Sequence, residues 1–309
     1  MLVRFWGVRG SYPVPGESTV RYGGNTPCVE IRPDDGSCII IDAGTGIRRL
    51  GQYLTASHVD DCHLLISHTH WDHIQGLPFF SPLYNEGAAL TIYARQRDVH
   101  LRTLFASQTE DPYFPISLSD VEAQVEYREL MEGANFNIGN SQVRCARLNH
   151  PYIAIGYRID ADGVSVAYVS DTAPFDRILL GYEFISQRPD MTDRPTGSDA
   201  AELAAMRQGV VELCRGCDFV IYDTMFEMNE YLDCPHWGHS APAHALEVVE
   251  EAGSKALALF HHAPGRSDDE QDAIVERTQQ QTDVKVFGAA ERKTYRIASS
   301  GTEVEEGVV

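Results

Sequence analysis

The segment LLISHTHWDHIQGLPFF, residues 64–80, contains four side chains of types that commonly bind metal ions: His68, His70, Asp72 and His73. Their spacing differs from the i, i+4 spacing by which a helix presents two histidines to one metal. The apolar run before them predicts a strand, whose side chains point alternately to opposite faces. A chain that leaves a strand and turns into a helix can direct all four to one point. Because imidazole and carboxylate groups suit Zn²⁺, Mn²⁺ or iron, this segment predicts a metal site.

Further candidate ligands follow other apolar runs, because four residues after one strand cannot complete the shells of two metals. His150 ends VRCARLNH, Asp171 follows VAYVS, and both His261 and His262 follow ALALF. In each segment an apolar run precedes one or two ligand-type residues, and a turn then follows. We therefore expect these strand ends to converge on the first segment.

Composition limits the function classes that fit the chain. It has 309 residues, of which 43% are hydrophobic, enough for a sizeable core. Because 25 Lys and Arg stand against 45 Asp and Glu, the net charge is −20, and stable binding of long nucleic acid is not expected. Neither a membrane-length apolar run nor a signal-peptide pattern is found, so a cytoplasmic location and no membrane partner are expected. The seven scattered cysteines do not resemble a disulfide framework.

Strand patterns alternate with helical patterns along the chain, which predicts an α/β fold of two sheets covered by helices. A doubly wound sheet would give the same pattern, so periodicity alone leaves the architecture open. No linker rich in glycine, serine or charged residues divides the chain, and we therefore predict a single domain over residues 1–297. Residues 173–213 are polar and proline-containing before a helical pattern at 199–213, and they predict a surface insertion. The acidic residues 298–309 predict a frayed tail.

Taken in order, these motifs resemble those of the metallo-β-lactamase superfamily over nearly the whole chain: IIIDAGTG with Asp42, SHTHWDH, LNHP, YVSDT and LFHHAP. The resemblance implies a four-layer αββα sandwich with two divalent metal ions at one edge, zinc being the expected metal and manganese the alternative. The implied ligands are His68, His70 and His150 for one metal, Asp72, His73 and His261 for the other, and Asp171 as the bridge. His262 is the alternative to His261, since neighbours in a strand point opposite ways. Asp42 is implied as a buried residue that braces the metal loop through hydrogen bonds.

A further motif, HWGHSAPAHALEVVEEAG, places His239 before a predicted helix and the last metal-ligand strand. This order resembles the phosphodiesterase branch of the superfamily, which includes RNase Z and smaller cyclic-nucleotide and cyclic-phosphate phosphodiesterases. The resemblance implies that His239 protonates the departing oxygen or stabilises phosphoryl charge, and that Asp223 in YDTMF orients it. The alternative is that His239 only flanks the helix, with Ser240 as its N-cap.

Metal-assisted hydrolysis is the reaction that these residues predict. A metal lowers the pKa of bound water to about 7, so metal-bound hydroxide is available at neutral pH. Asp72 can both bind a metal and orient that hydroxide. RNase Z carries a long tRNA-gripping arm between its third histidine and its bridging aspartate, whereas only PYIAIGYRIDADGVSVAYVS, enough for a hairpin, separates His150 from Asp171. The predicted substrate is therefore a small phosphodiester, a cyclic nucleotide or cyclic phosphate.

Two other functions fit the same motifs. An acyl-bond hydrolase that cleaves a lactone, thioester or β-lactam would use the same metal ligands but would not need His239. A metal-binding sensor is the non-enzymatic alternative. Members of the superfamily often dimerise, so the resemblance also implies a homodimer.

Overall fold

The computed structural model describes residues 1–179 and 197–306. The strands are β1 (Leu2–Gly7), β2 (Cys28–Arg32), β3 (Ile39–Ile41), β4 (Asp61–Leu65), β5 (Ala89–Arg95), β6 (Gln124–Leu130), β7 (Asn135–Ile138), β8 (Ser141–Arg147), β9 (Ile155–Ala161), β10 (Val164–Val169), β11 (Phe219–Asp223), β12 (Ala256–Phe260), β13 (Lys285–Gly288), β14 (Lys293–Ala298) and β15 (Gly301–Glu306). The α-helices are α1 (Ile47–Ala56), α2 (Trp71–Ile74), α3 (Leu101–Ser107), α4 (Ser198–Cys214), α5 (Met228–Asp233), α6 (Pro242–Ala252) and α7 (Asp268–Gln279).

The strands form two sheets. The first has the order β15-β14-β1-β2-β3-β4-β5-β6, and the second has the order β13-β12-β11-β10-β9-β8-β7. Strands β3 to β6 run parallel to one another, as do β10 to β13. Apolar side chains of the two sheets, such as Ile31 of β2 and Val166 of β10, belong to one buried cluster. The sheets therefore pack against each other as two central layers.

Helices cover the outer face of each sheet. On β3, Ile39 and Ile41 belong to the cluster between the sheets, whereas Ile40 packs with Leu50 and Leu54 of α1. This split follows from the alternation of side chains along a strand. Helices α4 and α6 pack with the outer face of the second sheet. The prediction of a four-layer αββα sandwich is confirmed, and the doubly wound alternative does not describe the two sheets.

The structure corrects part of the predicted insertion at 173–213. Helix α4 matches the helical pattern expected at 199–213, but it is a structural layer and not a surface addition. Its residues Leu203, Met206 and Val210 are buried against the second sheet and α6, because they recur on one helical face. Residues 180–196 of the predicted insertion lie outside the described residues.

The acidic tail also differs from the expectation of a frayed end. Residues 301–306 form strand β15, which pairs antiparallel with β14. Thr302 is buried, whereas Glu303 and Glu305 are exposed, so the acidic side chains face solvent on an edge strand. The acidic composition therefore predicted a frayed end where backbone pairing with β14 forms a strand. Every helix in the described part of the chain is too short or too polar to cross a bilayer.

Candidate metal centre

The site lies at the carboxyl ends of the parallel strands, where ligands of α/β folds commonly bind. Asp42 follows β3, Asp171 lies just beyond β10, and His261 follows β12. All three have left-handed backbone angles, with φ of 61°, 45° and 59° respectively. This conformation is unfavourable for residues other than glycine, and it is characteristic of functional sites that the surrounding structure holds in place.

One donor set consists of three imidazoles. The Nδ1 atom of His70 lies 3.0 Å from Nε2 of His68 and 3.1 Å from Nε2 of His150. The Nδ1 atom of His150 lies 2.8 Å from the carbonyl oxygen of Gly238, to which it donates, so Nε2 is left with its lone pair. Burial lowers the pKa of His68 and His70, and it lowers the pKa of His150 to about 3. The three rings are therefore favoured as neutral imidazoles, the form that binds metals.

The second donor set combines two imidazoles with two carboxylates. His73 Nε2 lies 3.4 Å from Asp72 Oδ2 and 3.2 Å from Asp171 Oδ1. His261 Nε2 lies 3.3 Å from Asp72 Oδ2 and 3.2 Å from Asp171 Oδ1. Burial acts to lower the pKa of His73, but the surrounding carboxylates outweigh it and hold that pKa well above its usual range. The buried Nε2 of His73 has no hydrogen-bond partner, which fits a nitrogen directed at a cation.

Asp171 lies between the two donor sets. Its Oδ1 faces His73 and His261, whereas its Oδ2 lies 3.6 Å from His68 Nε2 and 3.8 Å from His150 Nε2. One carboxylate thus directs an oxygen to each set. The potential ligand atoms within each set lie within 4.8 Å of one another. Both sets therefore fit divalent metal ions in donor type and in convergence.

Asp42 holds the loop that carries the first four ligands. Its carboxylate accepts hydrogen bonds from the backbone N–H of Ser67 at 2.8 Å, the Ser67 hydroxyl at 2.8 Å and the Tyr168 hydroxyl at 2.6 Å. His73 Nδ1 lies 2.8 Å from Asp42 Oδ2 and donates to it, which directs Nε2 of the same ring into the donor set. Asp42 is fully buried. The orientation of His73 therefore depends on this carboxylate.

His239 lies beside both donor sets, and Asp223 holds its ring. His239 Nδ1 is 3.0 Å from Asp223 Oδ2, and the ring stacks on that of His261 at 4.9 Å between centroids. Burial acts to lower the pKa of His239, but the charge and hydrogen bond of Asp223 outweigh it and raise that pKa to about 9. Asp223 is itself fixed by the backbone N–H groups of Thr172 and Met225.

The structure separates the two neighbouring histidines after β12. His261 lies in the donor set, whereas His262 donates from Nε2 to the carbonyl oxygen of Ala289 at 2.8 Å and packs edge-on against Tyr22. All the site residues expected from the sequence therefore lie in the two donor sets or in direct contact with them.

Sequence reasoning missed four groups that support the centre. Ser67 and Tyr168 hold Asp42, the carbonyl of Gly238 holds His150, and the backbone N–H of Ser11 donates to Asp72 Oδ2 at 2.8 Å. Ser67, Tyr168 and Gly238 lie within the motifs SHTHWDH, YVSDT and HWGHSAPAHALEVVEEAG, which was a usable signal. Ser11 lies outside those motifs, and its contact with Asp72 arises only when distant segments pack, so no local pattern indicated it.

Comparisons with known proteins agree with this geometry. The β-lactamase superfamily domain model matches residues 38–184. Ribonuclease Z from Methanopyrus kandleri is 29% identical over 234 residues, which cover 73% of this chain and 77% of that protein. The solved structure of the metallo-β-lactamase fold protein YhfI from Bacillus subtilis is 17% identical with a TM-score of 0.67, covering 95% of this chain and 97% of that chain. A diphosphatase from the PhnP family is 17% identical with a TM-score of 0.61, covering 96% and 98%.

The two packed sheets and the histidine–aspartate site at their edge define a metallo-β-lactamase fold protein. Over residues 38–184 the chain is similar to the β-lactamase superfamily domain, and over most of its length it is similar to the relative named ribonuclease Z. Its two donor sets have the composition that the sequence predicts for a metal-dependent hydrolase.

Proposed function

We propose that this hydrolase cleaves a small phosphodiester at two divalent metal ions, with a cyclic nucleotide or cyclic phosphate as the candidate substrate. The observation that carries the proposal is Asp171, which directs one oxygen to each of two donor sets, with His239 and its partner Asp223 directly beside them. A phosphodiester needs such an arrangement, because its hydrolysis requires both a concentrated positive charge and a proton for the departing oxygen.

The metal ligands follow from the two donor sets. His68, His70 and His150 would hold one ion, Asp72, His73 and His261 would hold the other, and Asp171 would contact both. When bound, two divalent ions would lower the pKa of water and offset the phosphate charge. The mixture of imidazole and carboxylate donors favours Zn²⁺, with Mn²⁺ as the alternative.

Two side chains of the chain itself would handle protons. Asp72 is kept in place by the backbone N–H of Ser11, and its carboxylate would orient the attacking water. Asp223 accepts the Nδ1 proton of His239, so Nε2 is the atom that would protonate the departing alkoxide. Loss of either role would lower turnover and leave the fold intact.

The relatives named ribonuclease Z make RNA the competing substrate class. Two properties of this chain support a small substrate instead. Only the β9–β10 hairpin, with its turn at Asp162 and Gly163, lies between His150 and Asp171, so this interval has no arm. The net charge of −20 also opposes a long phosphate backbone. A cytoplasmic location and a homodimer remain predictions from the sequence.

The test is a hydrolysis screen of protein loaded with Zn²⁺ or Mn²⁺, using cyclic nucleotides, cyclic sugar phosphates, lactones and thioesters. His239→Ala should lower kcat on phosphodiesters by about 10²- to 10⁴-fold, because the departing oxygen loses its proton donor. His58→Ala is the matched control, since this exposed histidine lies just beyond α1 and should leave kcat unchanged. Turnover of acyl substrates alone, unaffected by the loss of His239, would instead establish the acyl-bond hydrolase.

A further inference from the structure

Tyr152 presents an aromatic ring beside the donor sets. It lies two residues after His150, and its ring stands edge-on to that of His70 at 6.0 Å between centroids. The side chain is 41% exposed although its neighbour Ile153 is fully buried. Both residues have left-handed φ angles, 60° and 48°, and the carbonyl oxygen of Tyr152 accepts from Arg97 Nη2 at 3.0 Å. The fold therefore fixes this ring at the rim of the site, at a cost in backbone strain.

An open groove of about 940 Å³ begins at Tyr152. Its walls include Val99, Leu104 and Met131, of which Val99 and Met131 are exposed. This volume lies near the upper end of the range for small-molecule sites. The Tyr152 ring is edge-on to His70 and also lines the groove, so it lies between the donor sets and the groove.

The charges of the groove are balanced. Arg95 pairs with Glu132 at 3.0 Å, and Asp98 lies in the same wall as Arg97. A second phosphate would find little net positive charge there. A flat, uncharged aromatic group would find one exposed ring and several apolar side chains, which is the composition of a stacking site.

We infer that Tyr152 and this groove form a nucleobase subsite, so that the substrate is a nucleotide and not merely a cyclic sugar phosphate. The inference rests on the proposed function, because the base is placed at Tyr152 by a phosphate of the same molecule at the donor sets. Tyr152 is a specificity-determining residue in this scheme. It stacks on the base and takes no part in bond cleavage.

The first test compares kcat/KM for cyclic adenosine monophosphate and for cyclic ribose phosphate in metal-loaded protein. Tyr152→Ala should lower the value for the nucleotide by about 5- to 150-fold, the range that base–aromatic stacking supports, and leave the value for the sugar phosphate unchanged. Tyr152→Phe should retain the preference. Trp237→Ala is the matched control, since this tryptophan is 55% exposed and packs against Phe226, which in turn packs against His239. A preference that is lost in Trp237→Ala and kept in Tyr152→Ala would overturn the inference.

The second test measures binding without turnover. Calorimetry of metal-loaded protein should give tighter binding of adenosine monophosphate than of ribose 5-phosphate, and Tyr152→Ala should remove the difference. Equal affinities in the unchanged protein would overturn the base subsite even if phosphodiesters are hydrolysed. If the difference is present but no phosphodiester is cleaved, the proposed function fails and the base subsite stands. Light scattering should show the same particle mass for Tyr152→Ala, whereas a changed mass with an unchanged preference would make Tyr152 a subunit contact and overturn the inference.

Discussion

At the scale of single residues, the centre depends on carboxylates that have many hydrogen-bond donors around them. Asp42 is the clearest case, because one buried side chain receives hydrogen bonds from Ser67, Tyr168 and His73. Such a group is fixed in place, and it fixes its partners in turn. Residues that never touch a metal can therefore control how well the ligands bind one.

Asp42→Asn should weaken metal binding by about 10- to 100-fold. The amide is neutral, and it cannot accept all the hydrogen bonds that the carboxylate accepts, so His73 loses the partner that sets its orientation. Metal affinity is measured by titration of stripped protein with Zn²⁺. Tyr168→Phe removes only one donor and should have a smaller effect. Unchanged affinity in Asp42→Asn would show that packing alone orients His73.

At the scale of elements, the loop after β1 supports the last ligand. Gly10 packs so closely against His261 that an added Cβ would lie 2.5 Å from the ring atoms Cε1 and Nδ1. The same loop supplies the Ser11 N–H that holds Asp72. The N-terminal segment therefore belongs to the second donor set, although it contributes no ligand.

Gly10→Ala should displace His261 and destabilise the protein by about 1–3 kcal/mol, the usual cost of overpacking. We expect less than two metal ions per chain, measured by elemental analysis, together with a lower Tm. Gly16→Ala is the matched control in the same loop, because a Cβ there would meet no atom within 4 Å. If both variants retain full metal content, the close approach of the loop has no influence on the ligand.

Local patterns predicted most elements of the two sheets, because alternating apolar residues leave a clear signal in sequence. They did not predict β15, which pairs with β14 but buries no apolar side chain. They also could not show that α4 is a layer of the sandwich, since an apolar helical face shows that one side is buried but not which element covers it. The resemblance supplied the architecture that periodicity left open.

The convergence of the seven expected ligands could be predicted because each lies at a strand end in a recognisable motif. Their exact roles depend on orientations that no motif encodes. His261 and His262 are adjacent and chemically identical, and only the left-handed backbone of His261 and the bond from His262 to Ala289 distinguish them. Some supporting contacts, such as the hydrogen bond from Tyr168 to Asp42, join the two sheets and become visible only after the sheets pack.

At the scale of the whole molecule, metal binding should contribute to stability. The centre buries the carboxylates of Asp42, Asp72, Asp171 and Asp223 close together, and divalent ions would relieve their repulsion. Restoring Zn²⁺ to chelator-treated protein at about 100 times its dissociation constant should add about 2.7 kcal/mol, raising Tm by about 5–10 °C. Thermal melts measure the shift. Asp171→Asn should reduce it, and an equal shift in that variant would place the stabilising ion elsewhere.

The net charge of −20 gives a prediction that separates this protein from one that binds long RNA. A protein that binds RNA through many phosphate contacts binds it more tightly as salt falls, because counterions are released. Here lower salt lengthens the reach of repulsion, from about 8 Å at 0.15 M to about 30 Å at 0.01 M ionic strength. Transfer RNA precursors should therefore remain uncut and should inhibit hydrolysis of a cyclic nucleotide no more strongly at low salt than at high salt. Inhibition that strengthens as salt falls, or cleavage of the precursor at its 3′ end, would mean that a local basic surface overrides the overall charge and that RNA is the substrate.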